Sequence, residues 1–160
     1  MKALTVWQPW ASLIMIGAKP FEFRRWDYRT RDRSLEGQRI VIHAGARKLQ
    51  PDEVQELLYQ LWSGNEGSGL RHELARELLV KVGFKPGDGG VQLPIGAGLG
   101  TAVLGKPRKA TEIFGRGRGD SRRIDEQIWA WPLTDIKPFD VPIEQRGAQG
   151  FWNWPLKEAA

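Results

Sequence analysis

The chain has 160 residues, of which 41% are hydrophobic and 27% charged, a balance that fits one globular domain over residues 1–160 rather than a disordered chain. With no cysteine in the sequence, disulfides, thiol catalysis and cysteine-held metals are excluded. The net charge is +5, no apolar run approaches about 20 residues and no signal-peptide core follows the first lysine, so the expectation is a cytoplasmic protein with no membrane association and an anionic partner.

Residues 2–6 read as a short strand from their β-branched content and alternation. Pro9 suits a first helical position, Trp10, Leu13 and Ile14 fall at i, i+3 and i+4, and Gly17 suits the C′ position. Phe21-Glu22-Phe23-Arg24 alternates with period two. The phenylalanines share one side, expected to be the core, and Glu22 with Arg24 takes the other. Trp26 has the parity of Glu22 and Arg24. Residues 27–38 are charged and turn-like, and 39–44 form the clearest strand, apolar enough to be buried on both faces. His43 at its end is more readily a satisfied structural histidine than a catalytic one.

Pro51-Asp52-Glu53 opens a helix with the right charge, and Val54, Leu57, Leu58 and Leu61 make its apolar stripe. A turn-rich break at 63–69 leads to a second helix over about 70–82, with Ala75, Leu78, Leu79 and Val82 on one face. These two form a helical pair, about residues 50–82, inserted between strands. Residues 83–97 read as a loop. The glycine-rich run 94–100 is no nucleotide fingerprint, because a strand rather than a helix follows it at 101–104. A further strand is expected over 110–114, and another over 128–133 with Trp129, Trp131 and Leu133 on one face. The tail from Pro142 reads as a tight turn followed by aromatics. About six short, irregularly connected strands favour a small mixed α+β barrel over a doubly wound sheet.

The charge is unevenly spread. Residues 1–48 carry +6 and residues 106–123 carry +5, against −3 in each of the other two stretches. Arg116, Arg118, Arg122 and Arg123 sit in a glycine-punctuated segment suited to a phosphate backbone. The eight tryptophans are many for this length, and an exposed indole contributes roughly 1–3 kcal/mol per stacked base.

Trp7-Gln8-Pro9-Trp10-Ala11, then Gly17-x-Lys19-x-x-Glu22-x-Arg24 and Ile42-His43-Ala44, resembles the ASCH domain family, especially its phage and bacterial members. Gly100-Thr101-Ala102 and Arg146-Gly147-Ala148-Gln149-Gly150-Phe151-Trp152 are similar to that family as well. The resemblance implies a PUA-like β-barrel with a cleft between the barrel and the first helix, and a role in RNA or nucleotide recognition. It also raises two enzymatic alternatives, a metal-independent amidohydrolase acting on N4-acetylcytidine and a ribonuclease. The deacylase pattern maps its lysine onto Lys19 and its arginine onto Arg24, while its threonines fall at Pro20 and Glu22.

The expected partner is therefore RNA or another single-stranded nucleic acid, or a modified nucleoside. Trp10 or Trp26 would stack on the base, Glu22 would accept from an exocyclic amine, and Lys19 with Arg24 would hold phosphate or a carbonyl oxygen. His43 and the four arginines complete the expected binding set. In the enzymatic alternatives Lys19 and Glu22 are the catalytic pair, with Lys19 and His43 sharing proton transfer in a ribonuclease. His72 belongs to the helical pair. No spacing suggests a metal site, and no cofactor is expected.

Overall fold

The structure, a computed structural model, describes residues 1–64, 69–83, 90–115 and 127–155. Its centre is a mixed sheet of seven strands: β1 (Lys2–Val6), β2 (Phe21–Arg24), β3 (Arg39–Ala44), β4 (Ala97–Leu104), β5 (Arg108–Lys109), β6 (Trp129–Glu144) and β7 (Phe151–Asn153). The order is β2-β6-β4-β3-β1-β7, with β5 pairing β6. β1 and β3 run parallel and the remaining pairs are antiparallel. Trp131 of β6 and Phe151 of β7 stack at 5.6 Å between ring centroids, although three strands separate β6 from β7 in the sheet. The sheet therefore curls over its own apolar face into a half-barrel, the α+β PUA-like form that the motifs suggest.

Among the described residues, four α-helices accompany the sheet: α1 (Trp10–Met15), α2 (Pro51–Trp62), α3 (His72–Gly83) and α4 (Ala110–Phe114). The barrel core holds Leu4, Ile14, Ile40, Ile42, Leu104 and Trp131. A second core joins Leu13 and Ala18 to the expected α2 stripe and to Ala75 and Leu79 of α3. α1 is thus apolar on two sides, one facing the barrel and one facing the helical pair. Gly17 at φ +75 ends α1. Arg71, just before α3, donates its backbone N–H to the Ala18 carbonyl and Nη1 to the Gly17 carbonyl. That satisfies two carbonyls at the end of α1 that the helix itself cannot use.

Three sequence expectations are corrected. Residues 110–114 are helical rather than extended, because Ala110, Ile113 and Phe114 at i, i+3 and i+4 cover a third small core with Phe21, Phe23 and Ile128. β4 begins at Ala97, so the glycine-rich run lies largely within a strand. β6 continues to Glu144 instead of stopping near 133. Pro138 and Pro142 fit there because β2 and β5 meet β6 only over residues 129–132, and beyond that point β6 has a strand partner on one side only among the described residues. Proline lacks an N–H and is tolerated at such an edge.

Among the described residues, no helix is long and apolar enough to cross a membrane.

Candidate functional site

Where α1 leaves the barrel, an open cleft of about 1450 Å³ is walled by the end of β1, by β2, and by the segment 144–150 that leads into β7. Gly17 turns the chain so that Lys19 re-enters the protein directly after α1. Lys19 is only 3% exposed. Its Nζ donates to the Phe21 carbonyl and stands 3.3 Å from Glu22 Oε2. The ammonium also lies 4.8 Å from the centroid of the Phe23 ring and 5.7 Å from that of Trp10.

Glu22 is 6% exposed and has a second cation on its other oxygen. Arg24 Nε lies 2.9 Å from Glu22 Oε1, yet its N–H makes no hydrogen bond, so that contact is an ion pair. Arg24 Nη2 reaches the Thr5 carbonyl at 3.3 Å. The result is a cation–carboxylate–cation row with one net positive charge at the floor of the cleft. Burying one carboxylate is costly, and two flanking cations offset that cost.

The row sits where it does because of strand register. Glu22 pairs with Trp131 and Arg24 with Trp129, both of which pack on the barrel core, whereas Phe23 pairs with Ala130 on the other face. The expected alternation holds, but inside and outside are exchanged. Glu22 and Arg24 take the face toward the barrel interior, and Phe21 and Phe23 meet Phe114 in the outer cluster at 5.8 and 5.9 Å.

His43 is 1% exposed and fully engaged. Nε2 lies 2.8 Å from the Gln145 carbonyl, which only accepts, so Nε2 carries the proton. Nδ1 is then the acceptor for the Thr5 hydroxyl at 3.3 Å, and Thr5 Oγ1 in turn accepts from Trp152 Nε1 at 3.1 Å. Burial holds the imidazole below its ordinary pKa of 6.5, although the Gln145 carbonyl pulls the other way. This histidine fastens the 145–150 wall to β1 and β3. Gly147 crosses so close to it that a Cβ would lie 2.4 Å from His43 Cε1.

The structure gathers Trp10, Lys19, Glu22, Arg24, Trp26 and His43 around one cleft. Arg116, Arg118, Arg122 and Arg123 lie outside the described residues. Trp26 has its ring engaged: Arg31 sits 4.4 Å from its centroid, and Trp131 and Phe151 meet it edge-on. Trp10 is half-buried between the first two cores. Thr5, Trp7, Arg25, Arg146 and Gln149 also line the cleft and were not among the expected site residues. For Arg146 and Gln149 the glycine-rich motif they belong to was the available signal. Gln8, 2% exposed, steadies the rim: Nε2 donates to the Pro94 carbonyl at 2.7 Å and Oε1 accepts from Ser12 N in α1 at 3.1 Å. Among the described residues, no group of three or more His, Asp or Glu side chains could hold a metal ion.

No protein-family profile matches the sequence, and no curated protein matches it. Solved structures do. The ASCH protein of Zymomonas mobilis superposes with a TM-score of 0.51 at 17% identity, covering 98% of this chain and 87% of that one. A serine-to-alanine variant of ZmASCH from the same organism gives a TM-score of 0.50 at 18% identity, over 98% and 88%. The curled sheet with its few helices has a PUA-like form. More particularly, the chain has the fold of the ASCH proteins over nearly its whole length, in keeping with the motifs at both of its ends.

Proposed function

We propose that the cleft binds single-stranded RNA or a modified nucleotide, and that the protein is a cytoplasmic recognition module. The observation that carries this is the Lys19–Glu22–Arg24 row on the floor of a cleft lined by indole rings. Recognition of an unpaired base needs a flat surface, a hydrogen-bonding edge and cations for phosphate. The indoles that line the cleft supply the flat surface, the Glu22 carboxylate an acceptor for an exocyclic amine, and Arg24, Arg25 and Arg146 the positive charge. The cleft is open to solvent rather than enclosed, which suits part of a longer chain better than a fully engulfed small substrate.

Lys19 supports binding over catalysis. A nucleophilic lysine must present a neutral amine to its substrate. This one directs protons at the Phe21 carbonyl and keeps a carboxylate 3.3 Å away, an environment suited to an ammonium that holds charge. His43 has both ring nitrogens bonded within the protein, which leaves it poorly placed for proton transfer to RNA.

The test pairs two substrates with two proteins. Wild type and Lys19→Ala are incubated with a single-stranded RNA decamer and with N4-acetylcytidine, and both binding and product are followed. Saturable, salt-sensitive RNA binding without product is expected, weakened in the variant. Release of acetate from N4-acetylcytidine, or cleavage of the RNA, that disappears in Lys19→Ala would overturn the proposal in favour of a hydrolase.

A further inference from the structure

A base entering the cleft needs an indole with a face to offer, and the three candidates differ. Trp26 has a guanidinium over its ring and two aromatic edges against it. Trp10 is wedged between two cores. Trp7 lines the same cleft and is 58% exposed. Resting on the RNA reading of the cleft, we propose that Trp7 is its base-stacking platform, and that the helical pair holds this platform in place through Glu53 and Arg47.

Arg47 Cζ lies 4.9 Å from the centroid of the Trp7 ring. With a guanidinium over one face and the ring 58% exposed, the opposite face is the one a base would stack on. The same contact draws electron density toward the cation, and a ring clamped on one side loses less freedom when a base stacks on the other. Gly45 supports the edge of the ring: a Cβ there would stand 2.9 Å from Trp7 Cδ1, so only glycine lets the indole lie this close to the end of β3.

Arg47 is itself held. Its Nη2 donates to Glu53 Oε1 at 2.6 Å and its Nη1 to Glu53 Oε2 at 3.1 Å, a two-point contact that fixes the guanidinium plane. Glu53 Oε2 also accepts from Gln50 N at 3.0 Å, the capping contact at the start of α2. Each link therefore has a local cause: α2 fixes Glu53, Glu53 fixes Arg47, and Arg47 fixes Trp7. An exposed ion pair of this kind adds little to folding stability, so its effect should be visible in binding instead. This gives the helical pair, whose acidic outer surface suits no nucleic acid, a part in recognition.

The experiment uses the full chain and two labelled probes followed by fluorescence anisotropy, an oligocytidine RNA decamer and an abasic decamer with the same number of phosphates. Trp7→Ala should weaken binding of the RNA on the order of ten- to a hundredfold and leave the abasic probe within about twofold. Trp7→Phe, which keeps a ring, should retain most of the RNA affinity. Glu53→Gln should weaken RNA binding several-fold with the abasic probe unchanged. These two variants carry the test if Trp7→Ala fails to fold. Equal losses on both probes, or full RNA affinity in Trp7→Ala, would overturn the platform while leaving the cleft as an RNA site. A wild type that binds neither probe would overturn the RNA reading, and the platform with it.

Discussion

Glu22 is the residue on which the site turns. Its carboxylate lies between Lys19 Nζ and Arg24 Nε, at 3.3 and 2.9 Å. Glu22→Gln would leave two cations facing each other at the cleft floor, and breaking a buried ion pair in this way costs about 3–5 kcal/mol. Lys19→Met leaves Glu22 its Arg24 partner and should cost clearly less. Chemical denaturation of the two variants checks that order, and a milder loss in Glu22→Gln would mean that the row is not electrostatically coupled. Period-two alternation showed that Glu22 and Arg24 share a face, but it could not show which face is interior. That was settled by partners distant in sequence, Trp129 and Trp131 on one side and Phe114 on the other. Trp7 stood in a recognised motif but was not named as a site residue, for a related reason: it sits in a strand-to-helix turn with no periodicity, and its surroundings depend on Gly45 and Arg47, distant in sequence.

At the scale of elements, the helical pair was readable because a stripe at i, i+3, i+4 and i+7 needs no knowledge of what covers it. β6 was not, since two prolines, Pro138 and Pro142, argue against a long strand unless one knows that one edge of it is unpaired. α4 was misread because Thr111, Ile113 and Phe114 favour strands by propensity, and only the Phe21–Phe23 surface makes their helical spacing pay. The 145–150 wall depends on two close contacts that can be tested. Gly147→Ala places a methyl against His43 and Thr5, at 2.4 and 3.0 Å, and overpacking of this kind typically costs about 1–3 kcal/mol. The variant should melt earlier and lose ligand affinity, and an unchanged melt would show that the wall moves freely. His43 adds a pH dependence. Its folded pKa lies below 6.5, so beneath that pH the unfolded chain takes up a proton that the native state resists. Stability should therefore fall as pH drops from 6.5 through the lowered folded value, and His43→Asn should remove that part of the slope in melts between pH 7.5 and 5.

At the scale of the molecule, positive charge gathers on the sequence that builds the cleft, while the helical pair carries the opposite sign. If Arg24, Arg25 and Arg146 each meet a phosphate, log affinity should fall with log salt at a slope of about −2, since a single strand contributes about −0.7 per contact. Arg25→Ala should flatten that slope by about 0.7 with little effect on stability, because the residue is exposed. A slope near zero would exclude phosphate contacts. The tryptophans allow the most direct test of the cleft itself, because they are spread over the molecule: Trp7, Trp10 and Trp26 at the cleft, Trp131 in the core and Trp62, 62% exposed, on the helical pair. An NMR titration of the ¹⁵N-labelled indole groups with oligocytidine RNA reports on all of them at once. Progressive, saturable shifts at Trp7 and Trp10 with Trp62 unmoved are predicted. Shifts confined to Trp62, or none at any indole, would contradict the cleft as the RNA-binding site.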